Sequence, residues 1–116
     1  MTDEYSLLVG GDRVAGARGT YGVVNPATED VVGLAPEASV DQVEAAARAA
    51  AEAFPAWSRT QPSVRGELLG RLADLLDARA GELVPLVQAE TGATLRVAQT
   101  MQVPQTIDRF RRYQRG

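Results

Sequence analysis

The rhythm of apolar and polar positions changes once along the chain, at Ser39. Before it the apolar runs are short and broken by turn residues. Leu7-Leu8-Val9 is followed by Gly10-Gly11, which supplies the positive backbone angles of a tight turn, and Asp12-Arg13-Val14 returns as a partner strand. A connector carrying Gly16, Gly19 and Gly22 leads to a second pair, Tyr21 to Val24 and Val31 to Leu34, on either side of Asn25-Pro26-Ala27-Thr28. Pro26 sets its own φ and drives Asn25 out of the helical region, so this tetrapeptide reads as the turn of a second hairpin.

From Ser39 the period lengthens to that of helices. Ser39 with Gln42 forms an S-x-x-Q capping box, and Val43, Ala47, Ala50 and Phe54 then fall on one face. Pro55 and Trp57 mark the expected end of this helix. A second helix opens near Pro62 and gathers Leu68, Leu69, Leu72, Leu75 and Leu76 on one side, with Arg71, Asp74 and Asp77 opposite. A break at 79–81 precedes a short helix from Glu82 to Thr91, closed by Gly92 in the left-handed cap position. The stretch from Leu95 to Tyr113 is helical in pattern, divided by Pro104, with Ile107, Phe110 and Tyr113 as its apolar face. The pattern therefore predicts an α+β chain: hairpins over 1–38, then four or five helices over 39–116.

Composition narrows the chemistry. The 116 residues contain no Cys and no His, and all 12 basic residues are Arg. Thiol and imidazole nucleophile systems, the usual zinc sites, disulfides and a lysine Schiff base are thereby excluded from these residues. No run approaches the roughly 20 apolar residues of a membrane span, and the start is not that of a secretory signal, so the cytoplasm is the expected compartment. Nineteen Ala against six aromatic residues suits helices packed at close range. Such an inventory is thin for a self-sufficient core, because Ala buries little area.

Each candidate site also has a plainer reading. Gly16, Gly19 and Gly22 are spaced G-x-x-G-x-x-G, without the second Gly and the following helix that give a dinucleotide loop its phosphate contacts. Residues 105–116 hold four Arg against one Asp, yet Arg near a helix C-terminus complements the end carbonyls, and no aromatic residues interleave as in a nucleic-acid surface. Glu67, Asp74 and Asp77 fall on the polar side of the Leu-rich helix, where solvated charge belongs. Trp57 beside Phe54 and Pro55 reads as a packing plug. From the residues alone no catalytic, cofactor-binding or metal site emerges.

The words of the sequence, in order, resemble the N-terminal segment of the aldehyde dehydrogenase superfamily. Leu8 to Val14 resembles its opening hairpin, Val24-Asn25-Pro26-Ala27-Thr28 its Val-Asn-Pro-Ala-Thr turn, and Phe54 with Trp57 the Phe-x-x-Trp at its first helix. Arg65 with Arg71-Leu72-Ala73-Asp74-Leu75-Leu76, then Glu90-Thr91-Gly92, then Arg112-Tyr113 with Gly116, are similar to its later motifs. Departures fall at Gly10 for Asn, Arg13 for Trp, Glu29 for Gly, Ala93 for Lys and Gln114 for Tyr. They bear on subfamily.

The resemblance implies oxidation of an aldehyde to a carboxylic acid with NAD or NADP, through a cysteine thiohemiacetal, hydride transfer and thioester hydrolysis. It also implies that the nucleophilic Cys, the general-base Glu, the oxyanion-stabilising Asn and the cofactor contacts lie in later sequence. On this reading the 116 residues are an N-terminal fragment of an α/β cofactor-binding domain, inactive by themselves and binding no cofactor alone. Their Leu72 to Leu76 face would await the rest of the fold or a complementing chain, leaving the piece loosely packed or associated with itself. A stand-alone helical interaction module using that same face is the alternative. Neither nucleic acid nor membrane is an expected partner.

Overall fold

The computed structural model describes residues 5–115. Strands β1 (Leu7–Val9), β2 (Asp12–Val14), β3 (Thr20–Val24) and β4 (Val31–Pro36) precede helices α1 (Val40–Ser58), α2 (Pro62–Ala78), α3 (Ala80–Thr91), α4 (Leu95–Val97) and α5 (Val103–Gln114). The α+β order expected from the pattern is the order found. Two compact units result: the residues up to Val24 with Glu29–Arg59, and Asn25–Thr28 with the residues from Thr60 onward.

In the first unit β1 and β2 pair antiparallel in the register Leu7↔Val14, Leu8↔Arg13 and Val9↔Asp12. Gly10 (φ 63°) and Gly11 (φ 96°) are both left-handed, as a two-residue hairpin turn compatible with strand twist requires. β3 and β4 also pair antiparallel, and the step from Val23↔Gly33 to Val24↔Val31 leaves Val32 as the extra residue of a bulge. Glu29, which stands where the family-like pattern has Gly, lies at φ 64° and is the only described non-glycine residue with positive φ.

The capping box at Ser39 forms as expected: Ser39 Oγ accepts from the Gln42 amide (3.2 Å) and Gln42 Oε1 accepts from the Ser39 amide (3.1 Å). Gln42 does more than close the helix. Its Oε1 also accepts from the Ala17 amide (2.9 Å) while its Nε2 donates to the Ala15 carbonyl (2.8 Å), so one side chain fastens the Gly16 loop to the start of α1. The loop is held from its other side by the Arg18 amide on the Glu37 carbonyl (3.1 Å) and the Glu37 amide on the Gly19 carbonyl (2.8 Å). Against the expectation from Pro55, α1 continues to Ser58. Pro55 removes only the bond to Ala51, and that stretch is exposed, so water can satisfy the freed carbonyl.

In the second unit α2 and α5 lie against each other. The buried side of α2 is Gly66, Gly70 and Ala73. The Leu face stays largely open, as expected of a face that awaits further structure: Leu69 and Leu76 are half-buried, and Leu68, Leu72 and Leu75 are exposed, Leu75 by 62%. The small residues let the α5 backbone approach. A Cβ at Gly66 would stand 2.6 Å from the Gln114 main-chain oxygen. Ala73, Val103 and Ile107 form the core, flanked by Leu76, Ala80, Leu83, Val84, Val87 and Phe110. Tyr113, expected on the apolar face of α5, is instead 70% exposed.

Helices α2 and α3 meet at Arg79, whose carbonyl accepts from the Glu82 and Leu83 amides (both 3.0 Å), so the break is one residue long and α3 begins at Ala80, two residues earlier than expected. Gly92 closes α3 at φ 66°. The last helical stretch divides beside Pro104 as expected, α5 starting at Val103 with Pro104 in its first turn. The chain takes a π-helical path over Ala98–Gln102, with the Val103 amide donating to the Ala98 carbonyl. That wider turn immediately precedes Pro104, where a regular α-turn would press the ring on the Thr100 carbonyl.

Candidate functional site

The sequence candidates divide when placed in space. The Gly16 loop is a packed corner: a Cβ at Gly16 would come within 2.5 Å of the Glu37 carbonyl oxygen, and strand β3, not a helix, follows Gly19. There is no helix N-terminus for a phosphate there. Asp74 and Asp77, read from the pattern as solvated charges, both face Arg111 of α5, whose Nη2 lies 2.9 Å from Asp77 Oδ2 and 3.6 Å from Asp74 Oδ1. Part of the C-terminal positive charge is therefore spent on joining α5 to α2. Glu67 stays exposed. Trp57, read as a packing plug, is 47% exposed: α1 turns its small side, Ala46 and Ala49, inward and leaves Val43, Phe54 and Trp57 on its outer side.

The second unit also carries a concave surface that sequence reasoning missed. A groove of about 330 Å³ runs between α2, α3 and the last helical stretch, walled by Leu76, Leu83, Val87, Val103 and Ile107 with Gln102 and Thr106. Its one hydroxyl is engaged, since Thr106 Oγ1 donates to the Gln102 main-chain carbonyl (2.8 Å). The Gln102 side-chain oxygen is buried without a partner. A neighbouring hollow places Asp77 and Asp108 beside Arg111.

Neither recess fits a nicotinamide dinucleotide. Pyrophosphate needs convergent N–H donors or free cationic groups, and the groove wall is aliphatic while the hollow sets two carboxylates against an arginine already paired with Asp77. Among the described residues no group of three His, Cys, Asp or Glu could hold a metal ion. On α1 and α2 the inward residues are small, Ala46 and Ala49 on the first and Gly66, Gly70 and Ala73 on the second, while Phe54, Trp57 and Leu75 stay exposed.

The family model of the aldehyde dehydrogenase family matches residues 14–115, and the chain belongs to that family. It is 38% identical over 87 residues to the human 2-aminomuconic semialdehyde dehydrogenase, covering 75% of this chain and 18% of that protein. It is 37% identical over 113 residues to a 3-succinoylsemialdehyde-pyridine dehydrogenase of a Pseudomonas species, covering 95% and 24%. The NAD+ complex of an aldehyde dehydrogenase from Bacillus cereus superposes with a TM-score of 0.88 at 31% identity, over 97% of this chain and 23% of that one. The chain thus spans 18% to 24% of the length of these relatives.

Proposed function

We propose that residues 1–116 serve as the N-terminal portion of the cofactor-binding domain of an NAD(P)-dependent aldehyde dehydrogenase, and that their part in aldehyde oxidation is structural. The observation that carries this is the pairing of a family match over 14–115 with large apolar faces left outside, on α1 at Phe54 and Trp57 and on α2 at Leu68, Leu72 and Leu75. Such faces are made to be covered by further structure of the same fold. The absence of Cys from the 116 residues is in keeping with a cysteine nucleophile supplied by other sequence, and the aliphatic wall of the groove and the paired Arg111 of the hollow support a structural part.

The test is a graft. Residues 5–115 replace the matching segment of the Bacillus cereus enzyme, and NADH formation from an aldehyde is followed alongside that of the 116-residue chain alone. The reading expects no turnover by the chain alone and a kcat/KM in the graft within about tenfold of the parent, equivalent to about 1.4 kcal/mol of lost transition-state stabilisation. Turnover by the chain alone, or a graft that folds and assembles yet is inactive, would overturn it.

A further inference from the structure

We draw no further inference here: the strongest candidate, the aliphatic groove between α2, α3 and the last helical stretch with the unpaired Gln102 side-chain oxygen in its wall, carries nothing because no feature of the structure shows what covers it beyond the remainder of the fold already proposed.

Discussion

Two glycines one turn apart on α2 test how close packing differs from small size. At Gly66 an added Cβ meets the main-chain oxygen of Gln114, the last residue of α5, at 2.6 Å, and that backbone atom yields only if the end of α5 shifts. At Gly70 the nearest atom, 2.7 Å away, is the end of the Gln114 side chain, which can turn aside. Gly66→Ala is therefore expected to cost about 1–3 kcal/mol despite the better helix propensity of Ala, whereas Gly70→Ala stays within about 1 kcal/mol of the parent in urea unfolding. Equal losses would show that the α2–α5 approach is not what the glycines serve. Glu29 is the opposite case. Its φ of 64° costs an L-residue about 1 kcal/mol that glycine does not incur, so Glu29→Gly should raise the urea midpoint, less the entropy glycine adds to the unfolded chain. A lowered midpoint would mean that the Glu side chain contributes more than the backbone strain removes.

Among the elements, the start of α1 concentrates the most function in one side chain. Gln42→Ala removes the reciprocal arm of the capping box together with both bonds that tie Ala15 and Ala17 to the helix, while Ser39→Ala removes the cap alone. The expected costs are about 2 kcal/mol for Gln42→Ala and about 1 kcal/mol for Ser39→Ala, each read from unfolding of the variant. In native-state hydrogen exchange, amides of residues 15–19 should lose protection in the first variant and keep it in the second; equal protection would remove the clamp role. The capping box was legible in the sequence because its bonds are local, as were the Gly10-Gly11 turn and the Gly92 cap. What escaped the pattern depends on distant partners. The Leu band of α2 was legible as apolar and, through the resemblance, as uncovered, but the inward face of Gly66, Gly70 and Ala73 was not, since it is set by α5, forty residues on. Gln42 holding the Gly16 loop, and Arg111 reaching Asp77 across 34 positions, escaped for the same reason. A G-x-x-x-G spacing at Gly66 and Gly70 was the one available signal of the close helix approach. The groove had none, being made of ordinary core residues from three separate stretches.

At the scale of the whole molecule, the two units differ in how much they bury. All four buried hydrophobic residues among those described, Ala73, Ala98, Val103 and Ile107, belong to the second unit, and the described part of the first unit has none. Its strand pairs have two strands each, a size that is marginal without a packed face, and α1 leaves Phe54 63% exposed. Stability tracks apolar area removed from water, so in the 116-residue chain the first unit should open at lower denaturant than the second. Trp57, the single Trp, reports on the first unit, while the far-ultraviolet ellipticity remaining after its transition reports on α2, α3 and α5. Urea unfolding should accordingly show the Trp57 fluorescence change ahead of the main loss of ellipticity, with a broad overall transition and dye binding to exposed apolar surface before either. In the graft, where further structure would cover α1 and the Leu face, the two signals should merge into one steep transition. Coincident and steep transitions already in the isolated chain would show that these residues hold themselves together without the cover that their apolar faces call for.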